Sequence, residues 1–432
     1  MGLTAAFGMG MVFAAVAQPI PVPAPRATTS LPSSGPFGAL LGRQAVANRQ
    51  AAAALVIGLK LGESGGRSRL IIELSDPVDV RVFTLASPNR VVIDMPELMW
   101  RIPSDVRPSG KGAVKSYRYG LFRKGNSRFI VDLNAPVKVA KPQLLQPEGD
   151  QSFRLVIDLT PSTQPEFLAN AGWPKEEPGA IAEPRPALPP AGASGGRRVI
   201  VVDAGHGGID PGTHGQSGLL EKNLVLAVAK QLRRSLEASG KYRVQLTRDS
   251  DVFIPLRERV NIARAAQGDL FVSLHADSND HRDIRGASVY TLSEDASDRE
   301  AGILAEKENM SDAIAGVDLA GENNPVASIL IDLTQRGTMN RSARFAETVI
   351  GALPAATPLL PVFPHRSAGF AVLKAPDVPA VLIELGYLTN PKDESDMATE
   401  AWRSRVALAI ASAIDAHFSA ESGFGPRTAS RP

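Results

Sequence analysis

Cysteine is absent from this 432-residue sequence, and aromatic residues make up only 5% of it. A chain without cysteine forms no disulfides, contains no cysteine-ligated zinc site and has no thiol nucleophile. Long blocks of like charge are also missing, and the formal net charge is only +2 at pH 7. A nearly neutral chain gives no reason to expect nucleic-acid binding. The glycine-rich segment near the middle of the chain lacks the terminal Lys-Ser/Thr of a P-loop, which argues against a nucleotide site.

The first 17 residues form an apolar run without charged side chains, and Ala15–Ala17 before Gln18 resembles a signal-peptidase site. This run is shorter than the ~20 residues that a membrane-spanning helix needs. We therefore predict a signal peptide at 1–17, export to the periplasm and no stable membrane insertion. Because the basic start of a signal peptide is missing, an alanine-rich disordered tail is the alternative. The Pro- and Ala-rich residues 18–54 predict a flexible segment.

Residues 55–160 contain an internal repeat of strand-like segments. Arg69–Val78 is matched 59 residues later by Arg128–Val137, and Arg90–Asp94 is matched by Arg154–Asp158. Short strands separated by turn residues, repeated twice, predict a small all-β sandwich of two similar halves. We interpret the four repeated arginines as solvated strand-edge charges, with contact to an anionic wall polymer as the alternative.

A proline-rich segment, 161–198, follows this predicted sandwich and holds eight prolines together with Glu, Ala and Gly. That composition is typical of a semi-extended linker. We therefore expect the parts of the chain on either side of it to move independently.

Two histidines follow strand-like apolar runs in the second half of the chain. His206 comes after Val199–Ala204, and His275 ends the run Leu270–His275. Short β-branched runs predict buried strands, and ligands of open α/β sheets lie just beyond the carboxyl ends of the strands. Strand and helix patterns alternate around these runs, which predicts an α/β domain with an open, mostly parallel sheet. The two histidines can therefore meet in space although 69 residues separate them.

Two glutamates supply candidate carboxylates for the same site. Glu221 begins an apolar stripe at helical spacing, and Glu384 lies within the apolar run Ala380–Tyr387. A carboxylate in so hydrophobic a run is costly to bury unless it is paired or binds a cation. Two histidines and one glutamate make a three-ligand zinc site with an open position for water, and a further glutamate can serve as general base. As a first-turn residue, Glu221 has the alternative role of complementing the helix dipole.

Residues 199 to about 418 resemble the zinc-dependent N-acetylmuramoyl-L-alanine amidases. The matching segments are Asp203–Gly212, Leu220–Asn223, Thr247–Asp249, Leu256–Arg259, Ser273–Asn279 and Ile383–Asn390. The resemblance implies that His206, Glu221 and His275 bind Zn2+ and that Glu384 activates the attacking water. Asp277 stands where relatives often carry asparagine, which leaves the implied ligand set complete. The repeat at 55–160 resembles the AMIN module found ahead of such amidases, which implies envelope or peptidoglycan targeting.

A long insertion, 296–340, interrupts the alternation of strands and helices in the predicted catalytic domain at 199–420. We place it between the strand Ala287–Leu292 and a helix that begins near Arg341. A segment of this length inside a compact domain is typically functional or disordered, and its apolar content favours function. Residues 421–432 are expected to form a disordered tail.

By resemblance to the cell-division branch of the family, this insertion is a regulatory element that covers the zinc. Its acidic helix-like part holds Glu308 as the first candidate to fill the open zinc position, with Glu306 second. The alternative is that both are solvated helix-face charges. The resemblance also implies a LytM-type envelope activator, which we expect to bind the apolar stretch Ile329–Leu333.

The leading prediction is a hydrolase that uses zinc-activated water to cleave the amide between N-acetylmuramic acid and L-alanine in peptidoglycan. Autoinhibition and a use in daughter-cell separation are implied by the resemblance. A zinc peptidase acting on other peptides would use the same ligands, and a non-catalytic wall-binding scaffold is the second alternative. His365 with Arg366 is a further candidate for lining the cleft, because loops beside strand ends often carry function.

Overall fold

The computed structural model describes residues 54–102, 110–149, 151–174, 196–316 and 328–423. The predicted signal peptide and nearly all of the predicted flexible segment lie outside the described residues. The described chain forms a β domain followed by an α/β domain, which is the order predicted from the sequence.

Ten strands make up the described part of the β domain. They are β1 Leu55–Ser64, β2 Arg67–Leu74, β3 Arg81–Leu85, β4 Arg90–Pro96, β5 Met99–Trp100, β6 Val114–Arg123, β7 Asn126–Leu133, β8 Val137–Val139, β9 Gln143–Leu145 and β10 Phe153–Pro161. One sheet has the order β5-β1-β2-β10-β8, with β9 also paired to β10, and the other has the order β3-β4-β7-β6.

At the centre of each sheet, a strand from the first half of the repeat pairs with a strand from the second half. β2 of the first half pairs with β10 of the second, and β4 of the first pairs with β7 of the second, both antiparallel. Apolar side chains of the two sheets pack together into one core, in which Ile72, Ile93 and Phe129 are fully buried. The predicted sandwich of two similar halves is therefore confirmed.

The segment predicted as a linker is folded in its first part. Helix α1, Gln164–Asn170, begins with a capping box between Thr163 and Glu166. Phe167 is buried in the β-domain core, and the Trp173 ring lies 5.6 Å from the ring of Phe83. The linker prediction is wrong up to residue 174, because burial of these aromatic rings outweighs the proline-rich composition. Residues 175–195 lie outside the described part of the chain.

Within the described residues, six strands form the sheet of the α/β domain: β11 Arg198–Ala204, β12 Tyr242–Leu246, β13 Leu270–His275, β14 Ser288–Leu292, β15 His365–Ala368 and β16 Ala380–Glu384. Their order is β12-β11-β13-β16-β14-β15, and every neighbouring pair is parallel except β14 with β16. Strands β11 and β13 are buried along almost their whole length, as central strands covered on both faces are. The predicted open, mostly parallel sheet is confirmed.

Helices cover both faces of this sheet. They are α2 Glu221–Ala238, α3 Leu256–Ala265, α4 Arg299–Asn309, α5 Ser311–Ile314, α6 Ser328–Ala352, α7 Pro391–Met397 and α8 Glu400–Gly423. Apolar side chains of α2, α6 and α8 pack on one face, and those of α3 and α4 pack on the other. None of the described helices has both the length and the hydropathy needed to cross a bilayer.

The helix predicted to begin near Arg341 begins at Ser328 instead. The insertion at 296–340 therefore contains α4, α5 and the first turns of α6, and the stretch Ile329–Leu333 is helical. The predicted boundary is wrong because the polar residues before Arg341 include no strong helix breaker, and a glycine inside a helix costs only about 1 kcal/mol. At the carboxyl end, α8 extends into the predicted tail as far as Gly423, and 424–432 lie outside the described residues.

The β domain packs against the α/β domain, so the expectation of independent motion is wrong for this structure. The Phe122 and Phe253 rings stack 6.1 Å apart. A side chain at Gly120 would overlap the backbone of Gly208, so the backbones of these two segments approach each other closely. A shared apolar cluster joins the domains and contains Leu85, Val92, Ile130, Ile209, Phe253 and Ala315.

Candidate active site

Three strands end side by side at the sheet edge where the predicted site residues lie. β11 ends at Ala204, two residues before His206, while β13 ends at His275 and β16 ends at Glu384. His275 and Glu384 are register partners in the parallel pair β13–β16. The apolar part of each strand is buried in the sheet, and its last residue stands at the carboxyl edge. The strand pattern thus brings both histidines and Glu384 to one place.

The loop after β11 holds His206 in a conformation that few residues adopt. Its φ of 58° is in the left-handed region, which costs about 1–3 kcal/mol unless the surroundings hold it. Arg259 donates to the carbonyl of His206 at 2.8 Å, and Arg248 donates to the carbonyl of Gly205 at 2.8 Å. Sequence reasoning assigned no role to these two buried arginines. The sequence offered one indication of their importance, because each arginine lies in a segment that matches the family.

Glycine is needed at two positions around the histidines. A side chain at Gly205 would overlap the ring of His275, so the backbone itself forms the wall behind that ring. A side chain at Gly212, which has a φ of 65°, would overlap His206 and Glu221. The glycine-rich composition of this loop therefore has a direct steric cause.

A buried polar network lies beneath this loop and was also missed from the sequence. Asp203 is fully buried and accepts hydrogen bonds from Arg259 at 2.8 Å, Thr247 at 2.6 Å and Ser273 at 2.7 Å. Burial opposes its ionisation, but Arg259 and the two hydroxyl donors outweigh burial and lower the pKa of Asp203. This network joins the ends of β11 and β13 and fixes the floor of the site.

Four ligand-type side chains converge above this floor. Glu221 Oε1 lies 3.1 Å from His206 Nε2 and 3.3 Å from His275 Nδ1. Glu308 Oε2 lies 3.5 Å from His206 Nε2 and 3.3 Å from His275 Nδ1. All four side chains are buried. The structure thus brings together the three predicted zinc ligands and Glu308, each from a different element of the fold.

The two imidazole nitrogens at the centre of this cluster, His206 Nε2 and His275 Nδ1, are buried and have no hydrogen-bond partner among the described residues. The other ring nitrogen of His206 bonds Asp210 at 2.8 Å, and a carboxylate behind a histidine is the usual support of a metal ligand. Burial disfavours the charged form of His206, but Glu221, Asp210 and Glu308 outweigh burial and hold its pKa well above the ordinary value. The buried carboxylates thus require a positive charge here, and the donor set fits Zn2+.

Glu384 borders the cluster with one oxygen free. Its side chain is fully buried, Oε2 accepts a hydrogen bond from the backbone amide of Asp277 at 2.9 Å, and Oε1 has no hydrogen-bond partner in the part of the chain that the structure describes. Burial, together with the charges of Asp277, Glu221 and Glu308, raises the pKa of Glu384 well above its usual range. A carboxylate with a raised pKa and one oxygen open to a further partner is suited to act as a general base and then as a general acid.

Helix α4 of the insertion covers this site. Glu308 faces the histidines, and the neighbouring Lys307 forms an ion pair with Asp277 and donates to the Ser278 hydroxyl at 3.0 Å. Glu306 is exposed on the opposite side of the helix, so its selection as second candidate is wrong. Asp277, which stands where relatives often carry asparagine, thus pairs with a residue of the insertion.

Two further side chains hold the insertion against the site. Asn309 donates to the carbonyl of Gly369 at 2.9 Å and accepts from the amide of Ala371 at 2.7 Å. Ser311 donates to Asp210 at 2.6 Å, and Asp210 in turn holds the ring of His206. A continuous chain of hydrogen bonds therefore links the insertion to a predicted zinc ligand.

The structure does not bring His365 and Arg366 to this cluster. His365 bonds Glu347 at 2.6 Å and Thr291 at 3.2 Å. Arg366 donates to Glu300 at 3.0 Å near the start of α4. The hypothesis that these two residues line the cleft therefore finds no support in their contacts.

Two histidines and a carboxylate at the carboxyl edge of an open α/β sheet, with a further glutamate beside them, are typical of a metal-dependent hydrolase. Residues 200–416 match the family described as N-acetylmuramoyl-L-alanine amidase, and residues 58–159 match the AMIN domain. The chain belongs to the N-acetylmuramoyl-L-alanine amidase family and carries an AMIN domain ahead of its catalytic domain. It is therefore a hydrolase whose substrate is the amide bond between N-acetylmuramic acid and L-alanine in peptidoglycan.

Named relatives match along most of the chain. It is 35% identical over 370 residues to the N-acetylmuramoyl-L-alanine amidase AmiC of Neisseria meningitidis serogroup B, covering 80% of this chain and 86% of that one. It is 34% identical over 392 residues to AmiC of Escherichia coli O6:H1, covering 85% of this chain and 90% of that one. Among solved structures, AmiC2 of Nostoc punctiforme matches with a TM-score of 0.37 and 25% identity, over 51% of this chain and 97% of that one.

Proposed function

We propose that this amidase is zinc-dependent, that His206, Glu221 and His275 hold the metal, and that Glu384 is the general base. The observation that carries the proposal is the pair of buried imidazole nitrogens without hydrogen-bond partners, both of which lie within 3.3 Å of one Glu221 oxygen. Two histidine nitrogens and a carboxylate are ligands that zinc prefers, and they leave a position open; the metal takes the place of the proton that the raised pKa of His206 retains in its absence.

Zinc bound there supplies Lewis acidity toward the scissile carbonyl and lowers the pKa of water. Glu384 accepts the proton of the attacking water at its free Oε1, since Oε2 is held by the amide of Asp277. It then donates this proton to the leaving amine of L-alanine, which its raised pKa favours. Asp210 keeps the ring of His206 in the tautomer that leaves Nε2 free.

Mass analysis of sacculi digested with the purified, zinc-loaded protein tests the reaction. The proposal predicts release of stem peptides with a free L-alanine amino group and glycan strands without peptides. Cleavage within the stem peptides would indicate a zinc peptidase instead. A zinc-loaded protein that releases nothing, even after removal of the insertion, would indicate a wall-binding scaffold.

The proposal includes a closed resting state in which Glu308 fills the position that a catalytic zinc keeps open. Glu308 is buried, and its Oε2 lies 3.3 Å from His275 Nδ1, where a substrate carbonyl or water would have to bind. Burial raises the pKa of Glu308, so the carboxylate gains from a cation beside it. Such a closed resting state would prevent the enzyme from hydrolysing the wall continuously.

Glu308→Ala tests the closed state, with Glu306→Ala as the matched control on the same helix. We expect Glu308→Ala to raise basal release of peptides from sacculi without an activator, and Glu306→Ala to leave it unchanged because Glu306 is exposed. A folded, zinc-loaded Glu308→Ala protein with the wild-type basal rate would show that Glu308 does not block the site.

The proposal places the enzyme in the periplasm, in daughter-cell separation, with a LytM-type activator that binds the start of α6. Support comes from the family resemblance and from the position of Ile329–Leu333 in the helix that follows the insertion. An activator opens the site only if it binds the open state more tightly than the closed one. Leu330→Asp should abolish stimulation and leave the basal rate unchanged; stimulation that persists would place the activator elsewhere.

A further inference from the structure

The four arginines of the β-domain repeat have different surroundings although the repeat makes them equivalent. In one sheet, Arg69 pairs with Asp158, and the arginine side chain is 56% exposed. In the other sheet, the equivalent Arg128 pairs with Asp94, and the arginine side chain is only 5% exposed. The difference arises because the sheet β3-β4-β7-β6 faces the α/β domain. The interpretation of these arginines as solvated charges is therefore wrong for Arg128 and for Arg90, both of which are buried.

Arg128 and Arg90 both contact the end of the insertion's second helix. Arg128 Nη1 donates to the carbonyls of Ala315 at 3.1 Å and Gly316 at 2.6 Å. Arg90, which is 5% exposed, donates to the carbonyl of Ala313. These carbonyls end α5, and Gly316 has a φ of 66°, which stops the helix there.

The guanidinium of Arg128 is held in place before it meets the insertion. Its Nε and Nη2 form two parallel hydrogen bonds with Asp94 at 2.6 and 2.8 Å, and its carbon lies 3.7 Å from the centre of the Phe122 ring. A cation fixed in this way loses little conformational freedom when it binds the backbone carbonyls that follow α5. The contact is therefore a strong one for its size.

Only a short stretch of chain connects this contact to the proposed zinc site. Met310 alone separates α4, which carries Glu308, from α5, which ends at the arginines. Ser311 at the start of α5 bonds Asp210, and Asp312 accepts the amide of Leu256 at 2.9 Å. A rigid movement of α4 and α5 together, which would carry Glu308 out of the site, must therefore break the contacts of α5 with the β domain.

We propose that the β domain is part of the autoinhibitory device: Arg90 and Arg128 clamp the carboxyl end of α5 and thereby hold Glu308 over the site. This inference rests on the proposed function, since it requires that Glu308 closes the site. It assigns the β domain a regulatory role in addition to targeting. Contacts such as the Phe122–Phe253 stack do not involve the insertion, so the β domain stays docked when the clamp opens.

The repeat supplies a matched control for the test. The clamp variant is Arg90→Ala with Arg128→Ala in the full chain, and the control is Arg69→Ala with Arg154→Ala, the equivalent positions on the other sheet. We expect the clamp variant to raise basal sacculus hydrolysis by at least roughly tenfold, up to the rate of the fully open enzyme, because the loss of even one buried hydrogen bond with a charged donor shifts an equilibrium by about that factor. Hydrogen exchange of the amides of α4 and α5 should rise in the clamp variant alone.

Arg90→Gln is a milder variant that leaves the Arg128–Asp94 pair intact, and it should raise the basal rate in the same direction by a smaller factor. Glu308→Ala is measured beside these variants. If Glu308→Ala raises the basal rate while both clamp variants retain the wild-type rate and exchange, the clamp is refuted and autoinhibition stands. If the basal rate of the control variant rises equally, the effect is a general loosening of the β domain, and the clamp is refuted. If no variant rises, the closed state and the clamp are both refuted.

Discussion

Replacing Asn309 with alanine measures how firmly α4 is held over the site. The Asn309 amide bridges two backbone groups of the loop after β15, the carbonyl of Gly369 at 2.9 Å and the amide of Ala371 at 2.7 Å. A neutral hydrogen bond contributes about 1 kcal/mol net, so losing both destabilises the closed state by about 2 kcal/mol. Because about 1.4 kcal/mol is a tenfold change, the ratio of closed to open enzyme falls roughly 30-fold.

The assay is release of peptides from labelled sacculi by the zinc-loaded protein without an activator. We expect Asn309→Ala to raise this basal rate by up to about 30-fold, limited by the rate of the fully open enzyme. Ile303→Ala is the control, because Ile303 lies on the same helix and is 54% exposed. A folded Asn309→Ala protein with the wild-type basal rate would refute the reasoning. An equal rise in the activator-stimulated rate would also refute it, since the change would then act on catalysis.

Four further variants test the site itself. Glu384→Gln should retain zinc by metal analysis yet lose on the order of 10²- to 10⁴-fold in turnover, because an amide cannot accept the proton; near-normal turnover would remove its role as base. His206→Ala and His275→Ala should each lose bound zinc, and a full equivalent of zinc in either variant with unchanged activity would show that the ligands are misassigned. Asp203→Asn tests the floor of the site: the lowered pKa of Asp203 stabilises the fold above its unfolded pKa of about 3.9, and this stability is lost as the pH falls toward the folded value. Urea unfolding of Asp203→Asn should therefore show a lower stability at pH 7 and a weaker loss below pH 4 than the wild type shows.

The site residues at the strand ends could be predicted from the sequence because each strand has its own local pattern of apolar residues. The apolar runs before His206, His275 and Glu384 are short, β-branched and bounded by glycine or polar residues. The α/β sheet and the β sandwich followed from such local patterns, the family followed from the resemblance of the motif segments, and all three are confirmed. Convergence of the histidines needed only the rule that parallel strands end at one edge.

Contacts between distant segments were not readable in the same way. Glu306 and Glu308 are two residues apart in the same helix, and only the packing of α4 decides that Glu308 is buried while Glu306 is exposed. Arg69 and Arg128 are equivalent in the repeat, and only the docking of one sheet buries Arg128. The position of Asp210 behind His206 depends on a left-handed turn that composition does not specify.

Anomalous diffraction at the zinc absorption edge, from crystals of the full chain without activator, tests the central claim most directly. The account predicts one strong peak bounded by His206 Nε2, His275 Nδ1 and Glu221, with the Glu308 carboxylate as the fourth ligand. A peak at this position with Glu308 turned away would contradict the closed state. A zinc-loaded crystal with no peak between the two histidines would contradict the proposed active site as a whole.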